Sequence, residues 1–155
     1  MSEYQPCWRV LLVGETNPYG SSPAFALFHL PRHASGNRLR EHLGLNDGHY
    51  EQIMKANLCT GKWGMRAARV EAAKLEDLQH LETIVMLGTK VKTAFGLNNL
   101  PFFRAVQILE HTYVSLPHPS GLNRLWNDPL ARYQARDVLK QHVPEVPWGS
   151  TTSDT

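Results

Sequence analysis

Three short polar clusters hold most of the residues able to do chemistry: Glu15–Gly20 (ETNPYG), Asn57–Gly61 (NLCTG) and His118–Arg124 (HPSGLNR). Together they offer the Glu15 carboxylate, the Asn17 and Asn57 amides, the His118 imidazole and the Ser120 hydroxyl. Such groups orient water, donate an N–H or a proton, and read the polar edge of a ligand. Their spacing excludes several common chemistries. GETNPYGSS lacks the terminal Gly-Lys-Ser/Thr of a phosphate-cradling loop, and Gly61-Lys62 is followed by Trp63 with Ala56 where the first glycine should stand. Ser120 does not sit in a Gly-x-Ser-x-Gly elbow, which argues against a hydrolase nucleophile. The histidines show neither His-Glu-x-x-His spacing nor a carboxylate cluster, so no metal site is expected. Cys7 and Cys59 are too few for a disulfide framework or a four-cysteine cluster and read as core fillers.

The elements that must position these clusters are short, because ten prolines and eleven glycines punctuate the chain. Arg9–Val13 (RVLLV, stopped by Gly14) and Thr83–Leu87 (TIVML, stopped by Gly88) are continuous apolar runs that suit strands buried on both faces. Thr112–Leu116 is another strand, broken by Pro117 and Pro119. Gln52–Leu58 is a weaker one, and Ala105–Leu109 reads as a short edge strand. Helices are expected over Ala24–Leu30, Ser35–Leu43, Arg66–Leu81, Val91–Phe95 and Pro129–His142. Ser35 would cap its helix although Gly36 weakens the first turn, and Pro129 is tolerated in the first turn of the last one. Val70, Ala73, Leu78 and Leu81 mark the buried face of the 66–81 helix. Strands alternating with helices predict an α/β fold, a three-layer sandwich around a small, mostly parallel sheet. Residues 1–147 form one domain, with 148–155 a flexible tail. All three polar clusters then fall at carboxyl ends of strands, where such sheets bind ligands.

Composition fits this outline. With 42% hydrophobic residues in 155, the chain can build one real core. Sixteen Lys+Arg against fourteen Asp+Glu give +2, a mildly basic balance that allows a nucleic-acid face without establishing one. No apolar run approaches the length of a membrane span, and MSEYQPCWRV lacks a signal-peptide core. A soluble, cytoplasmic protein without a membrane partner is the expectation.

In order, the three clusters resemble the motifs of the uracil-DNA glycosylase superfamily. Val13-Gly14-Glu15-Thr16-Asn17-Pro18-Tyr19-Gly20 is similar to the first motif: Asn17-Pro18 matches the mismatch-specific and single-strand-selective branches, and Tyr19 the main uracil branch. Ala56-Asn57-Leu58-Cys59 is similar to the base-reading segment of the single-strand-selective branch. His118-Pro119-Ser120-Gly121-Leu122-Asn123-Arg124 resembles the second motif, with the His of the main branch and the Gly-Leu-Asn of the mismatch branch. The motifs total roughly twenty residues, and with their strand context they reach from about residue 9 to 142. Two departures stand out. The first motif carries one extra residue between Gly14 and Asn17, and the four cysteines of the iron–sulfur branches are absent.

The resemblance implies a monofunctional DNA glycosylase that acts as a monomer on DNA and needs neither metal nor cofactor. Cleaving the N-glycosidic bond builds positive charge on the sugar and negative charge on the departing base. Asn17 would position the water, with Glu15 second because of the extra residue. His118 would donate an N–H to the base's O2, and a neutral imidazole suffices. Asn57 would read the edge of the flipped base. Its amide suits uracil in one orientation and cytosine in the other. Tyr19, Phe25, Phe28 and His33 compete to stack on that base. Leu122 would fill the gap it leaves, flanked by Gly121 and Asn123. Ser120, Lys62, Arg66, Arg69 and Arg124 can contact phosphates. Taken singly, each residue has a plainer role: Asn17 a turn, His118 a structural histidine, Asn57 a strand-end cap, Leu122 a core residue, Arg66 and Arg69 a solvated face. No lysine stands in either motif to form a Schiff base, so strand cleavage is not expected. Two substrates fit: a bulky modified cytosine of viral DNA, which implies anti-phage defence, or uracil in base-excision repair. Rival classes are a non-catalytic binder of flipped or damaged bases and a nucleotide-processing enzyme.

Overall fold

A computed structural model describes residues 8–17, 22, 25–120 and 124–150. The elements run β1 (Val10–Asn17), α1 (Ser35–Leu43), α2 (Asp47–Gln52), β2 (Met54–Thr60), α3 (Met65–Glu76), β3 (Thr83–Leu87), α4 (Thr89–Ala94), β4 (Arg104–Ile108), β5 (His111–Leu116) and α5 (Pro129–His142), with a 3₁₀ turn over Arg124–Asn127. The strands form one five-stranded sheet in the order β2-β1-β3-β5-β4. Its first four strands are parallel, and β4 returns antiparallel at the edge.

The apolar runs do what two-sided burial demands. Val10 and Leu12 of β1, Val85 and Leu87 of β3, and Val114 and Leu116 of β5 point to one face and meet Leu39, Leu43, Ala135 and Leu139. Leu11, Val13, Ile84, Met86 and Tyr113 point to the other and meet Ala68, Ala72, Leu75 and Val91. Helices therefore cover the sheet on both faces, an arrangement compatible with a three-layer sandwich. Leu12 is fully buried in its layer; truncating such a leucine to alanine costs about 2–5 kcal/mol.

Several local expectations are corrected. The first strand does not stop at Gly14 but runs on to Asn17, because β2 supplies a ladder partner for Gly14, Thr16 and Asn17. In place of the short helix expected before Pro31, residues 25–27 form a turn and 28–30 have no regular structure. Leu27 has φ 54°, a left-handed conformation no helix continues through. Ser35 is the first helical residue rather than the cap; Ala34 holds that position without a side-chain bond. A helix unforeseen in the sequence, α2, starts where Asn46 accepts the His49 N–H at 2.7 Å. The third helix ends at Glu76, not Leu81, and buries Ala68, Ala72 and Leu75, leaving Val70 53% exposed. Ala68 and Ala72 let the helix lie close against the sheet, and Leu75 is the large residue that marks its inner face. The chain also stays packed past Pro147: Trp148 is buried and donates Nε1–H to the Val143 carbonyl at 2.9 Å.

α1 and α5 are joined by charge as well as packing. Arg136 donates to the carbonyls of Glu41 and His42, and the His42 ring stacks on Trp126 at 4.4 Å and 3°. Burial, aided by the positive charges of Arg132, Arg136 and Arg38, pushes the His42 pKa down to about 4. The unfolded chain takes up this proton below about pH 6.5, whereas folded His42 resists until about pH 4. Stability should therefore fall as pH drops through that window, and His42→Gln should flatten the fall. Urea unfolding at pH 7 and pH 5 checks it; equal pH dependence in both proteins would remove His42 as the cause.

Candidate functional site

Parallel pairing aligns the carboxyl ends of β1, β2, β3 and β5 along one side of the sheet, and there a cavity of about 590 Å³ opens. Glu15, Thr16 and Asn17 from the end of β1, Asn57 from β2 and His118 from just beyond β5 line it. Phe25, Leu27, Phe28, Leu30 and Pro31 supply an apolar wall. Residues forty to a hundred positions apart in sequence thus converge because their strands run parallel in one sheet and end on the same side.

Two amides meet inside. Asn17 is only 5% exposed, and its Oδ1 accepts a hydrogen bond from Asn57 Nδ2 at 2.7 Å. This bond fixes the orientation of the Asn57 amide, which the sequence left open. Gly14 lies across the ladder from Asn57. A Cβ on Gly14 would stand 2.3 Å from Asn57 Oδ1, so glycine here is space for the amide.

His118 is held from two sides. Its Nδ1 accepts the Ser120 backbone N–H at 3.0 Å, which puts the proton of the neutral ring on Nε2. Burial lowers its pKa; Glu15 opposes that shift and Lys90 adds to it. The ring is therefore neutral at pH 7, a donor through Nε2–H. Its carbonyl and that of Pro117 both accept from Trp126 Nε1 at 3.2 Å. Gly88, at φ 103°, runs close beneath: a Cβ there would lie 3.1 Å from His118 Cβ and 3.3 Å from Glu15 Oε2.

The aromatic wall is placed from below. Buried Tyr50 donates its hydroxyl to the Leu27 carbonyl at 2.6 Å, and burial raises its pKa, keeping it a donor. Gly36 lets α1 approach: a Cβ would fall 2.2 Å from the Leu27 and Phe28 carbonyl oxygens. The glycine that weakens the first turn of α1 is thus a contact surface for the wall. Phe25 and Phe28 meet edge to face at 5.1 Å.

The structure gathers Glu15, Asn17, Asn57, His118, Phe25 and Phe28, with Ser120 beside them. His33 is corrected: it is exposed, it does not line the cavity, and its carbonyl accepts from Arg38. Arg124 is exposed at the start of the 3₁₀ turn, outside the lining. Lys62 and Arg66 belong to a separate groove. Tyr19, Gly121, Leu122 and Asn123 lie outside the described residues. The sequence reading missed Trp126, Tyr50, Leu27, Gly36 and Lys90. The aromatic in RLWN, close behind the second motif, was the one available signal. Among the described residues no His/Cys/Asp/Glu group can hold a metal ion, and no helix is long and apolar enough to cross a membrane. Comparison with protein-family models and with curated proteins finds no match to this chain.

Proposed function

We propose that the protein is a monofunctional DNA glycosylase of uracil-DNA glycosylase-like fold, releasing a flipped-out pyrimidine from DNA and leaving an abasic site. It acts on DNA in the cytoplasm as a monomer. The observation that carries this reading is the convergence of Glu15, Asn17, Asn57 and His118 in one partly apolar cavity at the strand ends. Apolar walls with a few converging polar groups are what a base-sized ligand requires. In the reaction, the N1–C1′ bond breaks with its electron pair leaving on the base. His118 Nε2–H donates to O2 as negative charge builds there. The second lone pair of Asn17 Oδ1 orients the water that adds to C1′, the Glu15 carboxylate offsets the sugar's positive charge, and the proton the water sheds ends on the departed base anion. Asn57, its amide oriented by Asn17, donates its remaining N–H to the base edge. Leu122 fills the vacated stack, and Arg124 contacts phosphate.

Within this class the volume favours a substituted base. At about 590 Å³ the cavity lies in the range of clefts that take drug-sized ligands, more than a bare pyrimidine fills. A cytosine bearing a bulky 5-substituent, as in modified viral DNA, is therefore the preferred substrate, and the role an anti-phage defence. The test is incubation with DNAs containing uracil, hydroxymethylcytosine or glucosylated hydroxymethylcytosine, followed by alkali. Strand breaks at the 5-substituted cytosine with little at uracil are expected. Robust uracil release with no break at any 5-substituted base restores ordinary repair, and binding without breaks anywhere leaves a binder of flipped bases.

A further inference from the structure

A second groove, of about 740 Å³, lies between the end of β2 and α3. Lys62, Trp63, Arg66, Val70, Glu71 and Lys74 form its exposed rim and walls. Three cations face one carboxylate, and a fourth, Lys90 Nζ, stands 5.8 Å from the centre of the Trp63 ring. From Arg66 to Lys74 the helix advances about 12 Å, so the charges form a line rather than a point. β2 is one of the sheet's two edge strands. It gives Asn57 to the catalytic cavity and the next three residues, Leu58–Thr60, to this groove. Cavity and groove therefore both border the carboxyl half of β2, the cavity on the α1 side of the sheet and the groove on the α3 side.

We propose that this groove holds the single-stranded nucleic acid flanking the base in the cavity, with Trp63 against a neighbouring base and Lys62, Arg66 and Lys74 along the phosphates. The inference rests on the glycosylase reading for what fills the adjoining cavity. A line of cations beside an aromatic is the combination that binds single strands without reading their sequence, since every base has a π-face and every nucleotide a charge. An acidic peptide would answer the charges but leave Trp63 without a stacking partner.

The probe is an oligothymidine of about fifteen nucleotides, which contains none of the proposed substrates. Trp126 and Trp148 are buried and Trp8 packs against the opposite core layer, so quenching of tryptophan fluorescence reports chiefly on Trp63. Saturable quenching is expected, lost in Trp63→Leu. Lys74 is exposed on α3 and outside the catalytic cavity. Lys74→Gln should weaken binding several-fold and make the log–log salt dependence shallower by about 0.7, the single-strand value for one phosphate contact. If Trp63→Leu fails to fold, Lys74→Gln decides alone. Affinity and salt slope unchanged in Lys74→Gln overturn the proposal, as does a polyglutamate peptide that binds as tightly as the oligonucleotide. The two readings separate cleanly. Base release combined with Lys74-independent binding removes the groove and keeps the glycosylase, whereas Lys74-dependent binding without any base release does the reverse.

Discussion

His118→Ala should cut base release by about 10²–10³, the usual consequence of losing one donor to a developing oxyanion, roughly 2.7–4 kcal/mol of barrier. DNA affinity should change little, because the negative charge on O2 exists only in the transition state. The fold should survive, since the segment is anchored through the Pro117 and His118 carbonyls on Trp126 rather than through the imidazole. The same geometry fixes the pH dependence. Burial holds the pKa of His118 below its ordinary value of 6.5, Glu15 working against the shift and Lys90 with it. The donor is therefore present as neutral Nε2–H at pH 7 and above, and the ring becomes fully charged only in acid. The rate should stay level across neutral pH and change only below the ordinary histidine range. A rate that changes around pH 7, or equal losses of affinity and rate in His118→Ala, would contradict the assigned role. Asn17→Ala and Glu15→Ala belong in the same assay. Near-full activity in the first with loss in the second would transfer the water to Glu15.

Why the sequence led to this cavity, and where it misled, follows from which interactions are local. β3 matched residue for residue, as did α5, with Pro129 at its first turn and Asp128 accepting the Leu130 N–H at 3.0 Å. Apolar runs and caps are written within a few residues. The three polar clusters were legible for the same reason: each directly follows or ends a strand. What the sequence hid depends on partners far along the chain. Gly14 reads as a stop until Asn57, 43 residues on, is known to need the space. Gly36 reads as a helix defect until residues 27 and 28 are seen against it. The inner face of α3 was misjudged because helical spacing was counted on Val70, Ala73, Leu78 and Leu81, whereas the helix ends at Glu76 and turns Ala68, Ala72 and Leu75 to the sheet. Trp148 looked like a tail residue because nothing nearby in sequence reveals the pocket that takes it.

Gly14→Ala tests the most specific of these long-range dependencies, and it should lower base release as well as stability. The added Cβ would stand 2.3 Å from Asn57 Oδ1 and 3.1 Å from Leu27 Cδ2. Gly14 itself is buried in the middle of the β1–β2 ladder, so the backbone cannot retreat without disturbing pairs on either side. The Asn57 side chain is the part that moves, and its 2.7 Å bond to Asn17 goes with it. Asn17 is then left buried with an unanswered acceptor, a penalty of about 1–3 kcal/mol, while overpacking costs a similar 1–3 kcal/mol of stability. Both the group proposed to orient the water and the group proposed to read the base lose their positions at once. Base release should fall by about ten- to a hundredfold or more, with the protein still folded. Gly48→Ala is the control: its nearest neighbour would be Asn46 Oδ1 at an ordinary 3.6 Å, and alanine suits the first turn of α2. A double-mutant cycle assigns the clash. In an Asn57→Ala background the oxygen is gone, so Gly14→Ala should cost markedly less stability than it does alone. If it costs the same in both backgrounds, or if Gly14→Ala retains full base release, the amide pair does not organise the site.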